Sequence, residues 1–356
     1  MTRETFRSAL LMWYASNKRD LPWRKTCDPY FIWVSEVILQ QTRVSQGLAY
    51  YKRFIRQYPD VRTLASSSSD ALMKIWEGLG YYRRARNMRT AAIRVMEDFQ
   101  GKVPFRYEEL LTLKGIGPYT AAAIASIAGG EPVAVVDGNV YRVLSRMFGI
   151  TAPKSSSTGQ KQVNKLAARM IDPRRPGDYN QAIMELGALI CTPRNPSCET
   201  CPFTGYCYAR AHGLVKQLPV REIKPKVPVR YFHYFILSYH DRLIIRQRTR
   251  KGIWHLLYDF PLIERAEEIS IKNLLNSGVP EQFPGMNPYP DRISGIISHK
   301  LTHLHIRARF YHFDLRHPDQ PLPENHLLIS RKEIKKYPFP QMIVKYLNEI
   351  SLNNHR

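Results

Sequence analysis

Cys191-Thr192-Pro193-Arg194-Asn195-Pro196-Ser197-Cys198-Glu199-Thr200-Cys201-Pro202-Phe203-Thr204-Gly205-Tyr206-Cys207 carries four thiols in the pattern C-x6-C-x2-C-x5-C. The fifth cysteine, Cys27, stands far from them and reads as a reduced structural thiol. A secreted disulfide scaffold would spread its cysteines more widely, so the cluster points to a metal centre in a reducing compartment. A zinc ion takes four thiolates, and an iron–sulfur cluster takes the same four. Zinc sites more often pair two short C-x2-C knuckles, and only one is present, yet the spacing alone leaves both metals open.

The charge narrows the partner. The chain has 356 residues, 53 Lys and Arg against 30 Asp and Glu, and a formal net charge of +23. Such an excess favours a polyanion, either nucleic acid or an anionic membrane surface. The membrane reading is weak: no run of about 18 apolar residues could span a bilayer. The first residues, Met1 to Arg7, lack the apolar core of a secretory signal. Nucleic acid is therefore the leading partner, and a cytoplasmic location, nucleoid-associated if the source is bacterial, is the expectation.

Around the thiols, residues 1–215 read as a mostly helical domain. Phe6, Leu10, Trp13 and Tyr14 share one helical face. Asp28-Pro29 can cap and open a helix through Gln41. Ser69 or Asp70 can cap another through Trp76, which Gly78 and Gly80 end. Further helices are predicted near 84–99, 107–112, 118–128, 139–148, 159–171 and 179–190. Residues 216–230, with three prolines and several basic residues, read as an extended linker. Beyond it the period becomes two, predicting strands at Tyr231–Tyr239, Leu243–Arg248, Ile293–Ser298 and His303–Phe313. Helices are predicted at 264–276 and 331–349. Residues 231–350 therefore read as an α+β domain.

Leu113-Lys114-Gly115-Ile116-Gly117-Pro118-Tyr119-Thr120 joins two of the predicted helices. Glycine lets a backbone come close to a ligand, and the N–H groups at a helix start can bind phosphate. Gly115 and Gly117 are thus candidate phosphate contacts. Two carboxylates stand in contrasting settings. Glu36 is the only acid in Tyr30-Phe31-Ile32-Trp33-Val34-Ser35-Glu36-Val37-Ile38-Leu39. Burial there would raise its pKa and make it a general acid near neutral pH. Asp137 follows Pro132-Val133-Ala134-Val135-Val136 and precedes a predicted helix, whose N–H groups are expected to keep it ionised. A proton donor beside a persistent anion is what cleavage of a glycosidic bond needs.

The cysteine spacing at the end of a basic helical domain resembles the [4Fe-4S] loop of the endonuclease III superfamily of DNA glycosylases. The resemblance implies that Cys191, Cys198, Cys201 and Cys207 ligate the cluster, which shapes the basic loop around Arg194 and Arg210. The glycine hairpin, about residues 107–128, resembles that superfamily's helix-hairpin-helix. This implies sequence-independent phosphate binding and a monovalent cation on main-chain carbonyls. The superfamily's strand-cleaving branch has a lysine where this chain has Tyr119. Tyrosine cannot form the imine, so the resemblance implies a monofunctional glycosylase.

Leu21-Pro22-Trp23-Arg24, Trp33 to Thr42, Trp76-Glu77-Gly78-Leu79-Gly80-Tyr81-Tyr82, Val136-Asp137-Gly138-Asn139-Val140 and Asn180-Gln181-Ala182 resemble the MutY-type adenine DNA glycosylases. That family implies adenine opposite 8-oxoguanine or guanine as substrate. It implies Glu36 as the acid on adenine N7, Asp137 as stabiliser of the sugar cation, and Tyr119 and Asn139 as their positioners. Trp23, Arg24 and Gln181 would line the adenine pocket; Gln41, Thr42, Leu79 and Tyr81 would wedge beside the lesion. Gly252-Ile253-Trp254 and Leu257 to Pro261 resemble the family's nudix-related C-terminal domain, without the nudix acidic signature around Glu264, Glu267 and Glu268. His299-Lys300-Leu301-Thr302-His303 resembles its lesion-reading loop, with Thr302 and His303 as contacts and Leu301 in place of the usual aromatic. The rival readings are an endonuclease III-like glycosylase for oxidised pyrimidines and a non-catalytic iron–sulfur DNA-binding protein.

Overall fold

Small side chains set the key packing of the first half. In a computed structural model, which describes residues 1–220, 226–276, 282–283, 285–287, 289–316 and 321–353, the chain divides into two units. One comprises Met1–Ser67 with Arg86–Lys224, the other Ser68–Ala85 with Pro225–Arg356. The expected continuous first domain, 1–215, therefore lends residues 68–85 to the second unit. These residues are anchored there: Tyr258 donates to Asp70, Lys74 to the carbonyl of Tyr337, and the Phe339 N–H to Glu77.

The first unit is helical. Its elements are α1 (Arg3–Asn17), α2 (Pro29–Leu39), α3 (Val44–Gln57) and α4 (Val61–Ala65). After α5 (Ser69–Trp76) of the second unit come α6 (Arg83–Asp98), α7 (Tyr107–Leu111), α8 (Pro118–Ala128) and α9 (Gly138–Phe148). Then follow α10 (Ser157–Met170), α11 (Pro176–Leu189) and the short α12 (Tyr208–Ala211). Phe6, Leu10 and Tyr14 of α1, Val140 and Leu144 of α9, Ile183 and Leu186 of α11 and Phe203 share one core. Trp13 only borders it.

Helix α2 starts as its sequence demands, with Asp28 accepting from the Tyr30 N–H and Pro29 in the first turn. It is buried on nearly all sides from Ile32 to Ile38, so it lies inside the unit and not on its surface. Ala121, Ala122, Ala123 and Ala125 of α8 are buried and short, which lets α2 pack close against α8. Helix α2 ends at Leu39, two residues before the predicted Gln41, because Gln40 leaves helical geometry and Gln41 has φ 57°. Helices α3 and α4 have no counterpart among the predicted elements. Only Gly47, Tyr51 and Phe54 of α3 are buried, a sparse apolar stripe in a polar segment. Ser68, not Ser69 or Asp70, caps α5. Cys27 is exposed, so it is not a core thiol.

The second unit is built on an eight-stranded mixed sheet. The strands are β1 (Val229–Tyr239), β2 (Arg242–Gln247), β3 (Tyr258–Asp259), β4 (Leu262–Arg265), β5 (Arg292–Ile293), β6 (Ile297–Lys300), β7 (His305–Asp314) and β8 (His326–Ser330). The main order is β3-β2-β1-β7-β5, with β4 on β1, β6 on β7 and β8 on β2. Strands β1 and β7 run parallel from Val229 against His305 to Ser238 against Asp314; the other pairs are antiparallel. Strand β1 is buried continuously from Phe232 to Ser238, which replaces the expected alternation because both of its faces are covered.

Several predicted spans change. Ile293–Ser298 is split between β5 and β6. Residues 264–276 hold the end of β4 and only a five-residue helix, α13 (Ile271–Leu275). Residues 331–349 begin as a 3-10 turn at Arg331–Lys336; Pro338 and Pro340 interrupt it before α14 (Gln341–Asn353). Of the expected linker 216–230, Val229 and Arg230 already belong to β1, and 221–225 lie outside the described residues.

Candidate active site

Helix α2 brings Glu36 into the interior, 8% exposed, and α8 sets Tyr119 against it. The Tyr119 hydroxyl donates to Glu36 Oε2 at 2.6 Å. Burial pushes the Glu36 carboxyl up to about 7; the Tyr119 bond and Arg24 oppose this, and the charge of Asp137 reinforces it. Burial and the two neighbouring carboxyls push the Tyr119 hydroxyl well above the ordinary tyrosine value, so it stays a donor. The burial expected of Glu36 is therefore found, and it brings the carboxyl near neutrality.

Asp137 is the N-cap of α9. Its Oδ1 accepts from the N–H groups of Asn139 and Val140 at 2.8 and 2.7 Å, and its Oδ2 from Asn139 Nδ2 at 2.8 Å. Burial still raises its carboxyl above the usual aspartate value, although these bonds and Arg142 all pull it down. The sequence reading expected the helix N–H groups to prevail; desolvation of a partly buried carboxylate outweighs them. Asn139 is fixed in turn by Arg142 Nη2, which donates to its Oδ1 at 2.9 Å. The same guanidinium reaches the carbonyls of Gly187 and Cys191. A Cβ on Gly187 would come within 2.7 Å of the Asn139 Cβ, so α11 needs a glycine there. Sequence reasoning missed Arg142 and Gly187, since neither residue type signals chemistry.

Of the candidate pocket residues, Arg24 is paired with Glu185 at 2.8 Å and Gln181 accepts from the Tyr14 hydroxyl at 3.3 Å. Trp23 is buried, edge-on to Tyr51. Gln41 is exposed in a left-handed conformation, and Thr42 donates to the Gln40 carbonyl. In the second unit Leu79 is buried, while Tyr81 is 46% exposed with φ 49°. The Tyr81 hydroxyl lies 3.2 Å from Thr302 Oγ1, so two residues singled out separately in the sequence meet here. His303 beside it is exposed. Glu264 and Glu268 are bound to Arg248 and Arg309, not gathered as a metal-binding group.

The hairpin has the expected form. Gly115 has φ +86°, and a Cβ there would sit 2.6 Å from Asn87 Cβ. Gly117 caps α8 without a side chain, Pro118 follows, and Ile116 is buried between them. The N–H groups of Gly115 and Gly117 have no partner among the described residues. That leaves backbone donors at a helix start for an anion.

The four thiols of the 191–207 loop line one cavity, together with Arg146, Leu186, Phe203 and Arg210. Arg146 donates to Cys191 Sγ at 3.4 Å and to the Thr192 carbonyl at 2.7 Å. Four sulfurs round one space, with a cationic donor on one of them, fit an anionic iron–sulfur centre. Arg210 pairs with Glu199 inside the loop; Arg194 is exposed.

Residues 34–169 match the model of the HhH-GPD superfamily of base excision DNA repair proteins, and 191–207 that of the iron–sulfur binding domain of endonuclease III. Residues 233–349 match the NUDIX domain model. The adenine DNA glycosylase of Buchnera aphidicola subsp. Baizongia pistaciae (strain Bp) is 33% identical, over 85% of this chain and 84% of that protein. The chain belongs to the adenine DNA glycosylase family. Human adenine DNA glycosylase is 46% identical over 60% of the chain, which spans only 41% of that protein's length. A solved thermostable thymine-DNA glycosylase covers 59% of the chain and 97% of its own, at 31% identity and a TM-score of 0.55. The helical unit is a helix-hairpin-helix glycosylase fold and the second is nudix-like. The endonuclease III domain match supports a [4Fe-4S] cluster, and Cys191, Cys198, Cys201 and Cys207 are the thiols of the matched span that would hold it.

Proposed function

We propose that the chain is a monofunctional adenine DNA glycosylase of base-excision repair, acting on adenine opposite 8-oxoguanine or guanine in duplex DNA. The observation that carries this is the buried Glu36, bonded to Tyr119 at 2.6 Å and poised at about 7, within the field of an anchored Asp137. The duplex must release adenine from its stack, at a cost of about a few kcal/mol. Protonated Glu36 gives its proton to adenine N7, and the C–N bond breaks with its electron pair leaving on the base. Asp137 stabilises the cation left on the sugar. Glu36, now a carboxylate, takes a proton from water as that water adds to the sugar. Asn139 keeps Asp137 oriented, and Tyr119 orients Glu36.

Arg24 has three of its five N–H groups committed, two to Glu185 and one to the Arg19 carbonyl. The remaining donors suit the acceptor edge of a purine, and Gln181 lies on the neighbouring helix. Gly115 and Gly117 offer N–H groups to phosphate, with a monovalent cation on nearby carbonyls. Gln41, Thr42, Leu79 and Tyr81 are assigned to the gap and the lesion, Thr302 and His303 to reading 8-oxoguanine. Among the described residues no helix is long and apolar enough to cross a membrane. A monomer in the cytoplasm, on duplex DNA, fits this reading. Cys191, Cys198, Cys201 and Cys207 would hold a [4Fe-4S] group, which would cross-link the 191–207 loop.

The test is a single-turnover assay on duplexes with adenine opposite 8-oxoguanine, and on thymine-glycol duplex, each with and without alkali. Breaks in the adenine strand only after alkali are expected. Glu36→Gln should slow them by about 10²- to 10⁴-fold while duplex binding survives. Breaks in thymine-glycol duplex without alkali would move the chain to the endonuclease III reading. Binding without any cleavage would favour the non-catalytic one.

A further inference from the structure

Glu185 of α11 is 1% exposed and holds two guanidinium groups at once. Its Oε1 accepts from the Arg19 N–H at 3.0 Å, from Arg19 Nε at 2.8 Å and from Arg24 Nη1 at 2.9 Å. Its Oε2 accepts from Arg19 Nη2 at 2.5 Å and Arg24 Nη2 at 2.8 Å. Burial alone would push this carboxyl up, but the bonds from Arg19 and Arg24 bring it to about 2. The two guanidinium groups thus hold it as the carboxylate anion near neutral pH.

The same face of α11 reaches the candidate active site. Gln181, one turn earlier, accepts from Tyr14, over whose ring Arg24 lies at 5.5 Å. Met184, next to Glu185, has its sulfur 3.4 Å from the Tyr119 hydroxyl. Tyr119 in turn is bonded to Glu36. Three ionisable groups act on Glu36 from the elements around it: Tyr119 from α8, Asp137 from the start of α9, and Arg24 from the turn at Pro22–Arg24. Helix α3, also packed on α2, contributes Tyr51, which is buried against Trp23. Arg24 is the only cation among these.

We propose that Glu185 is a positioning residue for the proton on Glu36. It fixes the Arg24 guanidinium beside the site and cancels part of its charge, so the cation can meet substrate without stripping that proton. With Glu185 neutral, the largely buried Arg24 would carry an uncompensated positive charge beside the site, and an added cation favours the carboxylate form of its neighbour. This role rests on the reading of Glu36 as the acid, and the experiment separates the two.

The full chain with its cluster is labelled with ¹³C at glutamate carboxyls, and the Glu36 titration is followed by NMR. Glu185→Gln is expected to lower the Glu36 midpoint by about one pH unit, and Glu185→Asp to restore much of it. A Glu36 midpoint that does not move in Glu185→Gln overturns the proposal and leaves the triad as a tether between the segment after α1 and α11. Should Glu185→Gln fail to fold, Arg24→Met/Glu185→Met decides, since apolar side chains commonly replace a buried ion pair. Without either charge, Glu36 should titrate at or above its wild-type midpoint; a lower midpoint overturns the proposal. Rates of adenine release from an adenine–8-oxoguanine duplex are measured in parallel. If the Glu36 midpoint shifts and the pH limb of the rate stays put, Glu36 is not the acid, and the failure lies in the functional reading.

Discussion

The Tyr119 hydroxyl and the Glu36 carboxyl are joined by a 2.6 Å hydrogen bond in which tyrosine is the donor. A donor on a carboxylate favours the charged form, so Tyr119 holds the Glu36 pKa below what burial alone would impose. Tyr119 thus sets how much of the acid is protonated as well as where it points.

Tyr119→Phe should therefore move the pH profile, not merely scale it. A general acid works while protonated, so activity in the wild type is expected to fall as pH rises through about 7. Without the hydroxyl the Glu36 pKa rises, and that limb should shift to higher pH. Single-turnover rates between pH 5 and 9 would read the shift. A limb that stays in place, or moves down, would contradict the assignment of Tyr119.

Glu36 also carries a cost in stability. Its carboxyl is raised from 4.5 to about 7 in the folded chain. A group raised in this way contributes stability that is complete below its unfolded pKa and is lost as pH rises through the folded one. The loss thus develops between about pH 4.5 and 7 and amounts to about 3 kcal/mol above that window. Glu36→Gln keeps an acceptor for Tyr119 but has no charge to bury. It should raise the thermal midpoint at pH 8 and leave it nearly unchanged at pH 4. An equal gain at both pH values would show that ionisation is not the cause.

How far the sequence could be read depended on whether chemistry sat in residue type or in approach. The four cysteines, the glycine hairpin and the Asp28-Pro29 and Asp137-Gly138 helix starts announce themselves, because spacing and capping are local. Burial of Glu36 was legible for a similar reason: the segment around it is apolar on every side. The Glu185 triad and the Arg142 bridge were not, since Arg and Glu ordinarily face water, and their partners lie far off in the chain: Arg19 and Arg24 meet Glu185, and Arg142 meets the carbonyls of Gly187 and Cys191. The pull of burial on Asp137 was hidden likewise. In the second unit, Pro338 and Pro340 could have split the last predicted helix, whereas the parallel pairing of β1 with β7 joins residues far apart in the chain. That pairing puts β1 inside the sheet, where cover on both of its faces erases the alternation on which strand prediction relies.

The hairpin offers a paired comparison on one loop. Gly115 has φ +86° and would drive a Cβ to 2.6 Å from Asn87 Cβ, so Gly115→Ala must distort the loop or displace α6. It should cost about 1–3 kcal/mol of stability and weaken duplex binding for that reason. Gly117 has φ −97°, an ordinary value, and a Cβ there meets nothing within 4 Å. Gly117→Ala should therefore leave the thermal midpoint nearly unchanged. Any loss of duplex affinity in Gly117→Ala would come from the methyl group occupying space that phosphate needs. Because backbone contacts to phosphate ignore sequence, the loss should be equal for matched and mismatched duplexes. Full affinity in Gly117→Ala, measured at the salt concentration used for the wild type, would place the phosphate contact elsewhere.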